Sequence, residues 1–365
     1  MTRLVVGCMT GTSLDGLDVA LVRIEGRGLD MTPSLLRAAS HPLGELATRL
    51  RTLAEDRPVP ASAAARAALE LALLHAEAVT SLLGSDRADL ICVHGQTIHH
   101  APPVSWQLIQ PAPIARAAGA PVVYDLRQAD LAAGGQGAPI TPLADWILFR
   151  SPHRPVAVVN LGGFCNVTLL PRDAGGEPSA SLRAIRAGDV CACNHVLDAV
   201  ARRMLDRPFD AEGAIATYGR VDPAATDDLL RFAPDPTQSA HRTRSLGSGD
   251  EAIAWVERHA QRLSAADLSA SACRAVAMAV ARWIDEPHDV LLAGGGRRNQ
   301  RLRHELAAAL GDTPRSDHEL AEYREAACFA VLGALAQDRV PLTLPHVTGL
   351  PAGQAAPVAG AWVLP

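Results

Sequence analysis

Apolar positions near the start of the chain come in short, β-rich runs. Leu4 to Val6 reads as a strand, GCMTGTSLDG as a loop and DVALVRI as a second strand, so the opening predicts a wide hairpin. The same pattern returns at VAVVNLGG, a turn through FCN, and VTLLP. A strand–glycine loop–strand unit therefore stands near the start of each half. The likeness is of pattern and not of letters, and it points to an internal duplication. Between the two hairpins, Ala61 to Leu83 has helical periodicity, DLICVHGQ reads as a strand, a proline-punctuated loop follows, and PVVYDLR gives another strand. ITPLADWILFR predicts a helix crossing from one lobe to the other. Further on, NHVLDAVARRML and ACRAVAMAVARWI are helical, and DVLLAGGGRRNQRLRHELAAAL predicts a buried strand, a triple-glycine turn and a helix. EYREAACFAVLGALAQ predicts a late helix, and the Pro/Gly-rich tail from Val340 reads as mostly irregular. Strands alternating with helices predict an α/β class with mixed sheets.

Composition narrows this picture. With 365 residues there is room for two lobes with separate cores. A net charge of -5 leaves no basic footprint, so nucleic acid is not expected as a partner. No apolar run approaches the roughly 18 residues of a membrane span, and the short N-terminal run leads straight into a glycine loop rather than a secretory cleavage site. Seven cysteines without framework spacing fit reduced thiols, so the expected location is cytoplasmic. The chain contains no lysine. A Walker-type phosphate loop and Schiff-base chemistry are thereby excluded. Any phosphate must be met by backbone N–H groups, hydroxyls, arginines or a metal ion.

Two segments carry candidate chemistry. In GCMTGTSLDGLD, Gly7, Gly11 and Gly16 permit tight turns and close ligand approach, Thr10, Thr12 and Ser13 supply hydroxyls, and the turn presents N–H groups as an anion cradle. Asp15 and Asp18 are candidates to hold a hydrated Mg2+ bridging phosphates. The alternative is a tight hairpin turn rich in small residues. In DVLLAGGGRRNQRL, Gly294, Gly295 and Gly296 let a flat ligand lie on bare backbone beside a helix N-terminus, or simply provide the freedom of a strand-to-helix turn. Arg297 and Arg298 read as a solvated helix face or as nucleotide contacts.

These strings resemble the anhydro-N-acetylmuramic acid kinases. The likeness runs through GCMTGTSLDGLDVAL, HGQTIHHAP with WQLIQPAPIA, VVYDLRQADLAAGGQGAPITPLADWILF, NLGGFCNVT, the triple-glycine turn, EAACFAVL and PHVTG, in the family's order and over nearly the whole chain. It implies the two-lobed actin/hexokinase-like fold, with mixed sheets and an interlobe cleft for nucleotide and sugar. The expected lobes are 1–140 with 341–365, carrying the first phosphate loop, and 141–340, carrying the catalytic aspartate and the triple-glycine turn. The implied reaction uses ATP and Mg2+. Water opens the 1,6-anhydro ring while the freed oxygen takes the γ-phosphate, giving N-acetylmuramic acid 6-phosphate in cell-wall recycling. The resemblance makes Asp189 the base and Glu325 an active-site glutamate. It places Gly11, Thr12, Ser13, Leu14, Asp15, Gly16, Leu17, Asp18, Gly162, Gly163, Asn166 and Gly294 to Gly296 on the nucleotide, with Asp15 on the metal. His94, Gln96, Thr97, Asp125 and Arg127 would line the amino-sugar side, although Asp125 and Arg127 alone equally suit a structural salt bridge. His99 and His100 read as loop surface. Family members are typically homodimers, but no interface signature is legible here.

The match breaks in two places. After Asp189 the family's Thr-Gly-Pro-Gly turn is replaced by Val190, Cys191, Ala192 and Cys193, although Asn194 and Asp198 still match. The cysteines admit small-residue packing, a reactive thiolate at a helix N-terminus, or half of a metal site with His195. Near PDPTQSAHRTRSLGSG the family's Lys and Glu have no clear counterpart, and Arg242 or Arg244 would have to supply the positive charge. A kinase on a different sugar or cyclic substrate, and a nucleotide-binding regulator without turnover, therefore stay open as alternatives.

Overall fold

The computed structural model of the chain describes residues 1–234, 236, 250–286, 288–311, 315–316, 318 and 320–365. In chain order the elements are β1 (Thr2–Thr10), β2 (Gly16–Glu25), β3 (Thr32–Pro42), α1 (Leu46–Ala54), α2 (Ala61–Leu83), β4 (Leu90–Val93), β5 (Gln96–Ala101), β6 (Val104–Leu108), α3 (Ala112–Ala118), β7 (Val122–Tyr124), α4 (Gln128–Ala132) and α5 (Pro142–Phe149). There follow β8 (Val156–Leu161), β9 (Phe164–Leu170), α6 (Pro178–Ala184), β10 (Arg186–Ala192), α7 (Asn194–Leu205), α8 (Pro223–Leu230), α9 (Asp250–His259), α10 (Ala265–Trp283), β11 (Asp289–Ala293), α11 (Gln300–Leu310) and β12 (Arg315–Ser316). The chain closes with α12 (Arg324–Gln337), α13 (Pro345–Thr348) and β13 (Ala361–Val363). It separates into two compact units. Met1–Phe149, Pro178–Arg183 and Tyr323–Pro365 form the first; Arg150–Glu177 and Ala184–Glu322 form the second.

In the first unit the sheet order is β13-β7-β4-β1-β2-β3. The strands β1, β2 and β3 run antiparallel to one another in turn, whereas β4 and β7 run parallel to β1. Every residue of β4 is buried, as expected of a parallel strand covered on both faces. One cover is α2, whose Ala67, Leu71, Ala78, Val79 and Leu82 stripe joins Val6 and Cys8 in one core cluster. The other is α12, which is buried from Ala326 to Ala336 and packs on β1, β2 and β4. Gly7 explains how closely it packs: a Cβ there would lie 1.9 Å from the Ala326 carbonyl oxygen.

In the second unit the order is β10-β9-β8-β11-β12, with β8, β9 and β10 antiparallel and β11 and β12 parallel to β8. Setting aside the inserted β5–β6 hairpin and the edge strand β13, both sheets run third-second-first-fourth-fifth in chain order. The repeated hairpin pattern is thus the visible part of a duplicated sheet, and the fold is the actin/hexokinase-like α/β class that the resemblance implies. The core of this unit joins β8 and β9 to α7 and to α10, whose Leu268, Ala272, Val276 and Val280 are buried.

Three expectations need correction. The boundaries at 140 and 341 would put α5 and α12 in the second lobe, but both belong to the first unit, because α12 packs on β1 and α5 packs on α12. The proline-punctuated loop is the β5–β6 hairpin, in which Pro102 and Pro103 make the turn. His99 and His100 consequently lie on a strand, and His100 is half-buried with Nδ1 2.9 Å from Ser105 Oγ.

Candidate active site

The first glycine loop is shorter than its sequence suggests. Pairing of β1 with β2 continues to Thr10 opposite Leu17, leaving Gly11 to Asp15 as the connection. Leu14 takes a positive φ of 59° and donates its N–H to the Gly11 carbonyl at 3.2 Å. Its side chain, like that of Leu17, is buried in the core cluster with α2, so these two leucines offer a ligand backbone only. Thr12 and Ser13 are exposed, and Ser13 Oγ donates to the Asp15 carboxylate at 2.7 Å. Thr10 Oγ1 is buried without a partner. Gly16 and Asp18 open β2, where the half-buried Asp18 accepts from Ser40 Oγ.

Glu325 stands in the first turn of α12. Burial pushes its carboxyl above the usual range, the charge of Arg324 pulls it down, Asp18 and Asp145 push it up, and Arg127 pulls it down. Glu325 thus feels both Asp18 on β2 and Arg127, all within one unit. Beside it, the buried Arg324 and Asp145 form a forked ion pair, with Arg324 Nε 2.7 Å from Asp145 Oδ1. Sequence reasoning missed this pair. Its only signal was an aspartate in the otherwise apolar PLADWILF helix.

Among the residues expected on the sugar side, Arg127 is held in place by hydrogen bonds. Its Nε donates to His94 Nε2 at 3.1 Å, and Nη1 donates to the Gly137 carbonyl at 2.7 Å. His94 Nδ1 is 2.8 Å from the Gly95 carbonyl. That carbonyl can only accept, so the ring is neutral with its proton on Nδ1 and Nε2 accepting from arginine. Burial, with Arg127 beside it, holds this imidazole well below its ordinary range. His94 therefore orients Arg127 and is not a proton donor to substrate. Gln96 is fully buried, donating from Nε2 to the Thr97 carbonyl at 3.2 Å and leaving Oε1 without a partner. Thr97 Oγ1 accepts a long 3.4 Å bond from Gln107. Asp125 has a φ of 55°, and burial raises its carboxyl. Behind them the buried Asp130, also missed, accepts from Gly137 N–H, Thr343 Oγ1 and Thr348 Oγ1 at 2.8, 2.7 and 2.9 Å.

In the second unit Asp189 lies on β10 directly opposite Asn166, which lies opposite Asn160 on β8. Residues opposite one another share a face, so the three form a polar row across an apolar sheet. A register shift between Asp189 and Cys191 marks a β-bulge, a device that re-aims side chains. Asn160 was not singled out from the sequence, although an asparagine ending the apolar run VAVVN was its signal. Gly294 has a φ of 78°, and a Cβ on it would meet Asn160 Oδ1 at 2.7 Å. Gly296 likewise abuts Leu161 and Asn194, whereas Gly295 is exposed and meets no atom closer than 3.8 Å. Packing therefore explains two of the three glycines, and Gly295 alone presents bare backbone outward. Arg297 and Arg298 both pair with Glu322.

Gly162 and Gly163 turn inward. Their carbonyls accept the N–H groups of Cys193, Asn194 and His195 at 2.9, 3.0 and 3.1 Å, capping α7. Cys193 has a φ of -121°, and Cys191 is not among the residues with positive φ, so this stretch does not use the backbone freedom of the glycines it replaces. Burial pushes the Cys191 thiol up to about 12 and the Cys193 thiol well above its ordinary value, which removes the reactive-thiolate reading. Cys191 instead lines an apolar cavity with Phe164, Leu229 and Val276. Among the described residues no three His, Cys, Asp or Glu side chains gather as a metal set. Arg242 and Arg244 lie outside the described residues.

A family model for anhydro-N-acetylmuramic acid kinase matches residues 3–361. The chain belongs to this family. The anhydro-N-acetylmuramic acid kinase of Salinibacter ruber is 35% identical over 387 residues, covering 95% of this chain and 93% of its own. That of Bordetella pertussis is 38% identical over 379 residues, covering 98% and 95%. Among solved structures, a ROK family glucokinase from Streptomyces griseus in complex with glucose and AMPPNP aligns over 90% of this chain and 99% of its own, at 14% identity and a TM-score of 0.40. In this family member no described helix is long and apolar enough to cross a membrane.

Proposed function

We propose that the chain is an ATP-dependent kinase acting on 1,6-anhydro-N-acetylmuramic acid, coupling hydrolysis of the anhydro ring to phosphorylation of the freed oxygen. Family membership over residues 3–361 carries this reading. Asp189 is assigned as the base that takes a proton from the attacking water, a contribution typically worth about 10²–10⁴-fold. Its place opposite Asn166 at the register shift of β10 supports this, because the neighbouring amide can orient a carboxylate or a water. Arg127, held by His94 and the Gly137 carbonyl, is assigned to the sugar with Asp125, Gln96 and Thr97. Gln96 Oε1, buried and lacking a partner, suits a donor from the substrate.

Nucleotide phosphate is assigned to the N–H groups and hydroxyls of Gly11 to Ser13, with Gly295 on the base side. The donor set fits, since Thr12 and Ser13 are exposed. Magnesium needs only one or two carboxylates together with phosphate and water. Asp15, exposed in the loop, and Asp18, half-buried on β2, fit this need. Bound there, the ion would supply charge neutralisation for the transferred phosphoryl group. A cytoplasmic location and a homodimer go with this reading.

The test is ADP release by purified protein given ATP, Mg2+ and 1,6-anhydro-N-acetylmuramic acid. Sugar-dependent ADP with a 6-phosphorylated product is expected. ATP binding without turnover on this sugar would sink the reading and turn attention to other cyclic sugars.

A further inference from the structure

We propose that the buried Arg324–Asp145 ion pair is the positioning element for Glu325, fixing where the start of α12 presents that carboxylate. This rests on the reading of Glu325 as an active-site residue.

The start of α12 lacks the usual lock. Its N-cap is Tyr323, whose side chain makes no capping bond. Arg324, the first helical residue, supplies another anchor. Its Nε and Nη2 grip the two oxygens of Asp145 on α5, and Nη2 also donates to Thr141 Oγ1 at 3.2 Å. Cys328, one turn further along α12, donates its thiol to Asp145 Oδ1 at 3.5 Å. Arg324 and Asp145 are 2% and 0% exposed, so the fork has little freedom. Two points of α12 one turn apart are thereby fixed to one carboxylate, and Glu325 projects from between them.

A buried ion pair is a costly way to dock two helices, since apolar residues of similar volume often do so equally well. Here it sits beside a carboxyl that also feels Asp18 and Arg127. The groups facing Glu325 are Arg324 on its own helix, Asp145 on α5, Asp18 on β2 and Arg127 between β7 and α4.

The experiment compares kcat and the KM for ATP in ADP formation for wild type, Glu325→Gln, Arg324→Lys and the double variant Arg324→Met with Asp145→Leu. The double variant replaces the pair by an apolar contact that no longer fixes the fork, so kcat should fall at least tenfold while the KM for ATP stays near wild type. Arg324→Lys keeps the charge but loses the fork, and the same split is expected. If Glu325→Gln is inactive and the double variant folds but keeps the wild-type kcat, the pair merely packs and the inference is overturned. A double variant that does not fold leaves Arg324→Lys to decide, and an unchanged kcat there overturns it too. Full activity in Glu325→Gln would instead remove the reading of Glu325 itself.

Discussion

The two units share a strand order and differ at one corner. In the first, β1 and β2 are joined by Gly11 to Asp15, with exposed hydroxyls at Thr12 and Ser13. In the second, β8 and β9 are joined by Gly162 and Gly163 alone, and their carbonyls are used up in capping α7. One scaffold thus carries an open donor loop in one copy and a plugged helix end in the other. In the second copy the polar row ending in Asp189 lies on the sheet itself. The same corner thus serves an exposed, hydroxyl-bearing loop in one copy and the capping of a helix in the other.

That contrast can be broken at either end. Asp189→Asn should lower turnover by about 10²–10⁴-fold while nucleotide affinity, read by titration, stays within twofold of wild type. Retained wild-type rates would move the base elsewhere. Next comes the thiol beside it. With the Cys191 pKa near 12, alkylation in the folded protein should run about 10³-fold slower than for a free thiol. Peptide mapping after a timed iodoacetamide pulse measures this, and rapid labelling would restore a reactive role. In the first unit, Gly7→Ala places a methyl against the α12 backbone, and should cost about 1–3 kcal/mol in denaturant unfolding. Stability at the wild-type level would mean that α12 is not pressed on β1 as described. Smallest of all, Thr12→Ala should raise the KM for ATP about fivefold, as for the loss of one hydrogen bond worth about 1 kcal/mol. The corresponding change Gly163→Ala should disturb α7 rather than nucleotide affinity, and the reverse result would erase the contrast.

Much of the scaffold was legible beforehand because periodicity reports burial. The run Ala61 to Leu83 is α2 to the residue, and both hairpins stand where alternation of apolar strand and glycine turn put them. Chain order gave poorer guidance on membership. EYREAACFAVLGALAQ reads as a helix from its letters, but only contact with β1 shows that it completes the first unit. Asp18 stands out in the sequence as an acid following a glycine loop, whereas Asp189 is named only through the resemblance. The candidate site was not legible where a residue acts through a distant partner. Arg324 needs Asp145, far back in the sequence, and Asp130 needs Thr343 and Thr348. Such pairings depend on tertiary geometry, to which a local window is blind. For His94 the letters could not reveal the tautomer, which the Gly95 carbonyl and Arg127 set.

The return of α12 and β13 to the first unit also sets an order of events during synthesis. Domains generally fold from the N-terminus as the chain emerges, but here the first sheet lacks the helix that covers one face until Tyr323–Pro365 has left the ribosome. The second unit, built wholly from 150–177 and 184–322, is complete earlier. A nascent chain stalled short of Arg324 would therefore hold a finished second unit and an uncovered β1 face, with Asp145 still awaiting its cation. Truncations near the C-terminus should accordingly harm the part of the protein that is made first.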